Sequence, residues 1–175
     1  MILNVYKTSR RVIITILVSF VEMQRRVKEE TSHIALRAKD KEGNPLYEDY
    51  VLDEAYETKF RTLFKTAQGE ITLNLSAYLN NVPSEPEIED TSESVDGDDF
   101  ILLLPMPPSY SHSLSNSLGV KIDDYFESYI MYSWLLSKDS QMAEIYFARS
   151  EKLKSEINTV VNIRSQGVKR PNRYW

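Results

Sequence analysis

Between Asn81 and Asp99 the chain carries Pro83, Pro86, Gly97 and eight acids, and almost nothing that could be buried. Such a segment has too little apolar surface to offset the entropy lost on ordering, so it is expected to be an exposed loop or arm. The core must then be built from the blocks on either side. Of 175 residues, 42% are hydrophobic and 27% charged. A chain of that length and composition buries roughly two-thirds of its unfolded surface, enough for one globular domain.

In the first block Val12, Ile13, Ile16, Leu17, Phe20, Met23, Val27, Thr31 and Ile34 recur near helical spacing, which predicts one helix from about Thr8 to Ala38. The β-branched run Val12-Ile13-Ile14-Thr15-Ile16 also suits a buried strand; the length of the stripe favours helix. Val12 to Val21 follows Lys7, Arg10 and Arg11 in the manner of a signal peptide, but it has no small-x-small cleavage site and runs into Glu22, Gln24, Arg25 and Arg26. A spanning helix needs about 20 apolar residues, so no membrane partner is expected.

Gly43-Asn44-Pro45 ends this element. Asp53 is placed to cap a second helix, with Tyr56, Phe60, Leu63, Phe64, Ala67, Ile71, Leu75 and Tyr78 striping it as far as Leu79. After the acidic segment, Phe100-Ile101-Leu102-Leu103-Leu104 is cut by Pro105, Pro107 and Pro108, as in an edge strand that passes into an extended stretch. Ser109 to Gly119 is serine-rich and reads as irregular. Two further helices follow, striped by Ile122, Tyr125, Phe126, Tyr129, Ile130 and Trp134 and then by Met142, Ile145, Tyr146, Leu153, Ile157, Val160 and Val161. Lys138-Asp139-Ser140 makes a corner tight enough to set them antiparallel, and Gly167 and Pro171 stop the last helix. The expected fold is mainly α, a bundle of about four helices with one extended arm carrying a short β-strand. Within one domain, residues 1–80 supply the N-terminal helices, 81–120 the acidic loop and arm, and 121–175 the helical pair and a basic-aromatic tail.

The net charge of −5 hides a segregation. No Lys or Arg occurs from Thr66 to Val120, a stretch of charge −9, while residues 1–65 and 121–175 each carry +2. The last twelve residues hold Arg164, Lys169, Arg170 and Arg173 without an acid and close on Tyr174-Trp175. An acidic loop and a basic tail on one small chain suit head-to-tail assembly, in which opposite charges register neighbouring copies.

Chemistry is harder to place. There is no Cys, which removes disulfides, Cys-ligated zinc and thiol nucleophiles. His33 and His112 are far apart with no acid pattern to complete a metal site. Ser109, Ser111, Ser113, Ser115 and Ser117 alternate, but none sits in a glycine-flanked elbow, and five glycines build no phosphate-cradling loop. Asp98-Asp99 and Asp123-Asp124 are expected to be solvated rather than catalytic. The expectation is no enzyme, no catalytic residue, no metal and no cofactor. Nucleic-acid binding is the rival, through Arg25, Arg26, Lys28 and the Arg-Tyr-Trp tail, although a pI of about 5.2 is the wrong sign for a polyanion.

Two features ask for a partner. Tyr174 and Trp175 beside Arg173 are of the types that anchor interfaces, and the apolar run Phe100 to Leu104 has little prospect of a private core, so it is expected to pair with or pack on a neighbouring subunit. With the bundle, the arm between its second and third helices, and the closing stretch Arg164-Ser165-Gln166-Gly167-Val168-Lys169-Arg170-Pro171-Asn172-Arg173-Tyr174-Trp175, the layout resembles the head-to-tail connector, or portal adaptor, proteins of tailed bacteriophages. Tyr-rich helices such as Asp123-Asp124-Tyr125-Phe126-Glu127-Ser128-Tyr129-Ile130-Met131-Tyr132 are similar in texture to structural proteins of crAss-like phages of gut Bacteroidales. The resemblance implies a virion protein made in the host cytoplasm, forming a homo-oligomeric ring, usually twelvefold, at the portal–tail junction. Its partners would be the portal protein and other tail or ring proteins, with DNA only in passage through the channel. It further implies that Arg164, Lys169, Arg170, Arg173, Tyr174 and Trp175 dock on the portal or a neighbour. The alternative is a small phage nucleic-acid-binding or regulatory protein.

Overall fold

The computed structural model describes residues 2–7, 12–38, 43, 50–79 and 98–163. The β-branched run near the start is a strand. β1 (Ile2–Lys7) pairs antiparallel with β2 (Val12–Val18), placing Val5 opposite Ile14. β3 (Phe100–Met106) adds antiparallel to the other side of β2, with Ile14 opposite Leu104, so the sheet order is β1-β2-β3. The helix expected from Thr8 is therefore corrected. Val12, Ile14, Ile16 and Val18 are fully buried while the residues between them are only half-buried, a period of two. A short apolar run has no helical commitment of its own, and β3, far away in sequence, supplies the pairing that settles it.

Ser19 ends the strand and starts the helix. In extended conformation it accepts the Glu22 backbone N–H on its Oγ at 3.5 Å, and α1 runs Phe20–Ala35 with Met23, Val27, Thr31 and Ala35 buried one turn apart. Asp53 caps as expected, but what it caps is a 3₁₀ turn, Glu54–Tyr56, by accepting the Ala55 N–H at 3.0 Å. α2 (Glu57–Asn74) follows, then a break at the fully buried Leu75, then the single turn α3 (Ser76–Leu79). α4 (Ser115–Leu135) begins inside the serine-rich stretch expected to be irregular, and Gly119 lies buried within it. Asp139 caps α5 (Ser140–Asn162), accepting the Met142 N–H at 3.0 Å. Lys121 near the start of α4 pairs with Glu156 near the end of α5, and Tyr132 near the end of α4 stacks on Phe147 near the start of α5, so the pair is antiparallel.

The fold is thus mainly α, with four long helices and a small sheet among the described residues. One continuous cluster of buried side chains reaches from Val12 to Val161. Its centre is aromatic. Phe20 meets Phe60 and Phe64 edge-on at 5.0 and 5.3 Å, Phe64 meets Phe126 at 5.2 Å, and Phe126 meets Phe100 at 5.4 Å. Each such contact adds about 0.5–1.5 kcal/mol beyond burial, and together they tie α1, α2, α4 and β3 to one point. The chain before α2 is pinned separately. The indole N–H of Trp134 donates to the Tyr50 carbonyl at 2.7 Å, and the Leu52 N–H donates to the buried Thr31 hydroxyl at 3.1 Å.

Candidate assembly surfaces

The predicted arm Phe100, Ile101, Leu102, Leu103, Leu104 has the private core it was expected to lack. Leu102 and Leu104 are buried against the helices beside the inner residues of β2, and the strand pairs along its length within its own chain. The run fails to stand alone only when it is read without β2. Pro105 has no N–H to offer, and a strand with an internal proline belongs at a sheet edge, so the remaining edge of β3 is blunted against pairing with another chain. Asp98 and Asp99, expected to be solvated, hold the strand's entry. Asp99 accepts the Phe20 N–H at 2.7 Å, and Asp98 pairs with Arg61.

What β3 leaves outward is a surface the sequence reading missed. Directly opposed residues of antiparallel strands share a face. Ile13, Thr15 and Leu17 of β2 lie opposite Pro105, Leu103 and Ile101 of β3, and Ile13 and Thr15 also lie opposite Tyr6 and Asn4 of β1. Ile101 is 45% exposed and Tyr6 67%, and the β2 members are half-buried. None of these eight side chains is charged. The available signal was that the β2 and β3 sequences are apolar at both parities, which marks a sheet covered on both faces.

The candidate basic patch on α1 is neutralised from within. Arg25 pairs with Glu22 at 2.6 Å and Glu29 at 2.5 Å, and Lys28 with Glu54 at 3.2 Å. Arg26 pairs with Asp123 and Glu127 and lies 3.5 Å from Asp124. Burial of the Arg26 guanidinium works against its charge, but Glu127 and Asp123 outweigh it and raise its pKa above the ordinary value. Three bases facing six acids give a surface that repels a polyanion.

His33 is exposed in the last turn of α1, and the side chain of His112 is outside the described residues. Among the described residues, no group of three or more His, Cys, Asp or Glu is placed to hold a metal ion, and no helix is long and apolar enough to cross a membrane. An open polar cleft of about 730 Å³ between α2 and α5 is lined by Asn74, Lys154, Asn158 and Asn162. Its amides already serve one another. Asn74 and Asn158 exchange side-chain hydrogen bonds at 3.2 and 3.0 Å, and the Asn162 side chain donates to the Asn158 backbone carbonyl at 2.7 Å. The Tyr125 hydroxyl is buried with no hydrogen-bond partner among the described residues, and burial together with the Glu70 charge pushes its pKa up, so it stays protonated. The docking residues Arg164, Lys169, Arg170, Arg173, Tyr174 and Trp175, with the helix stops Gly167 and Pro171, lie outside the described residues.

Comparison with protein-family models, with curated proteins and with solved structures found no match for this chain.

Proposed function

We propose that this chain is a non-enzymatic structural subunit of a tailed-phage virion, a ring component that joins portal to tail around the path of the DNA. The observation that carries the reading is the uncharged outer face of the sheet, apolar at Ile13, Leu17, Ile101 and Leu103, positions that a subunit working alone would normally make polar. The helical bundle and the charge-segregated sequence, whose last twelve residues are basic and aromatic, agree with it. In this role residues 164–175 dock on the portal or an adjacent ring, Tyr174 and Trp175 supplying the anchor and the four bases the register.

The rival nucleic-acid reading is disfavoured by the ion pairs that occupy Arg25, Arg26 and Lys28. Two measurements decide between them: protein identification in purified particles, and a gel-shift assay with duplex DNA. The proposal expects the chain in the particle, no shift at physiological salt, and a variant lacking residues 167–175 that melts cooperatively but no longer joins the particle. Absence from particles together with DNA binding by the free protein rejects it.

A further inference from the structure

Along the seam between α2 and α5 we infer a two-state contact, a ladder of polar rungs that opens as a unit while both helices stay packed on α4. The opening goes beyond the structural role proposed above; only its use rests on that role.

Three rungs cross the seam. Lys154 reaches Glu70 at 3.3 Å, Asn158 and Asn74 exchange side-chain hydrogen bonds at 3.0 and 3.2 Å, and the Tyr78 hydroxyl donates to the Asn162 side-chain oxygen at 2.7 Å. The partners are 84 residues apart at every rung, so the two segments run parallel, and positions 70, 74, 78 and 154, 158, 162 face each other one helical turn at a time. Both helices are held through α4 by apolar contacts, since Phe64 of α2 packs on Phe126 and Phe147 of α5 stacks on Tyr132. The seam is tied differently. A hydrogen bond there is exchanged for one to water at small net cost, whereas parting apolar surfaces is not. The open cleft of about 730 Å³ that Asn74, Lys154, Asn158 and Asn162 line runs beside the rungs, so space that close-packed side chains would fill is left between the helices.

Two further features favour opening. The first is Tyr125 of α4, whose hydroxyl is buried with no hydrogen-bond partner among the described residues. The charges of Glu70 and of Glu151, which Lys154 also approaches at 3.9 Å, both act on that hydroxyl, which places it beneath the first rung. While Glu70 is engaged by Lys154 the hydroxyl stays unpaired; release of Glu70, or entry of water, gives it an acceptor. The second is the break at Leu75. That residue is fully buried, and Tyr78 stands beyond it on the separate turn α3, so the third rung can move about an anchored element end without unfolding α2.

Asn162 is the last residue of α5, and the chain continues from there into residues 164–175, the segment proposed to dock. A partner that binds this segment better with the seam open shifts the seam towards that state, and by reciprocity a seam locked shut weakens the docking.

Amide hydrogen exchange of the full chain reads the opening. The reporters are the N–H groups of Leu75 and Leu79 on one side and of Asn158 to Asn162 on the other, with Phe126 to Ile130 of α4 as the reference. The expected result is that both sides exchange through one shared opening, at least about tenfold more often than the reference, at a rate unchanged by urea up to about 1 M because little apolar surface is exposed. Tyr78→Phe removes one rung and should quicken both sides severalfold. Asn74→Leu/Asn158→Leu replaces the middle rung by an apolar contact and should slow both at least about tenfold. Tyr125→Phe removes the unpaired hydroxyl and should slow both as well. Fraying of α5 alone, in which Asn158 to Asn162 respond to these changes and Leu75 and Leu79 do not, overturns the inference. Exchange of both sides only together with the reference overturns it, as does faster exchange in Tyr125→Phe. A Tyr78→Phe variant in which neither side quickens overturns it too, and that result does not depend on the double-Leu variant folding. Particles that take up the double-Leu variant as readily as wild type would remove the coupling to docking and leave the seam; a wild-type chain absent from particles would remove the proposed function and leave the seam.

Discussion

The carboxylate of Asp99 accepts the backbone N–H of Phe20 at 2.7 Å, across 79 residues of sequence. Phe20 opens α1, so its N–H is one of the four that the helix itself cannot satisfy, and a negative charge there also meets the positive end of the helix dipole. The same contact fixes where the acidic segment ends and β3 begins, since Phe100 is the next residue and its ring packs on Phe126. Asp99→Ala should lower stability by about 1 kcal/mol, or about 2–4 °C in melting temperature, and Asp99→Asn, which keeps an acceptor, by less. Thermal denaturation followed at 222 nm measures both; equal losses would show that the charge and not the hydrogen bond matters.

Thr31 does for the chain before α2 what Asp99 does for β3. Its side chain is fully buried, its hydroxyl donates to the Val27 carbonyl at 2.8 Å, and its oxygen accepts the Leu52 N–H at 3.1 Å. Thr31→Val keeps the shape and removes the acceptor, which leaves the Leu52 N–H buried and unpaired at a cost of about 1–3 kcal/mol. Thr31→Ser keeps the oxygen and should lose less than half as much. Urea unfolding with an unchanged slope would report that difference as stability alone.

Helices announced themselves in the sequence where the stripe was long and a cap stood before it. Phe60, Phe64, Ala67 and Ile71 are buried one after another on α2, and α5 starts at the expected corner Lys138-Asp139-Ser140, where Asp139 is the cap. Val12 to Val18 was ambiguous for a physical reason: residues two apart and residues three or four apart are all apolar in so dense a run, so both periods fit. The deciding partner, β3, lies more than eighty residues away, beyond any local pattern. The outer face inherited that error, because Ile13, Leu17, Ile101 and Leu103 become neighbours only once the register is known. Local propensity also could not reveal that Asp98, Asp99, Asp123 and Asp124 face Arg61, the start of α1 and Arg26, since each contact joins distant segments.

Arg26 is set among three carboxylates, Asp123, Asp124 and Glu127, and its side chain is 27% exposed. Arg26→Met removes the charge that holds those acids together on α4 and should destabilise the protein by about 2 kcal/mol. That is less than the 3–5 kcal/mol typical of a fully buried pair, because water reaches this one. Arg25→Met, at an exposed pair, should change stability far less than Arg26→Met. A matched pair of melting curves at low and high salt checks the ranking, and salt should narrow the gap between Arg26→Met and wild type.

Acid should loosen the contact between α4 and α5 at Glu156. The hydrogen bond from Lys121 holds the Glu156 carboxyl below its ordinary value of 4.5, with the Lys121 and Lys152 charges acting the same way against a smaller opposing effect of burial. A carboxyl whose pKa is depressed by folding contributes stability that is fully present above its unfolded value and drains away as pH falls through the folded one. Lys121→Met removes the larger cause, so Glu156 should titrate nearer its ordinary value and the acid unfolding midpoint should move to higher pH. The melting temperatures of wild type and Lys121→Met should then differ by a constant amount well above the ordinary value of 4.5 and converge only once the pH has fallen below the depressed folded value, where Glu156 is protonated in both. Lys152 lies 3.8 Å from Glu156 and is 76% exposed, so Lys152→Met should shift the midpoint far less. If the two substitutions moved it equally, the effect would be one of net charge and not of the Lys121–Glu156 contact.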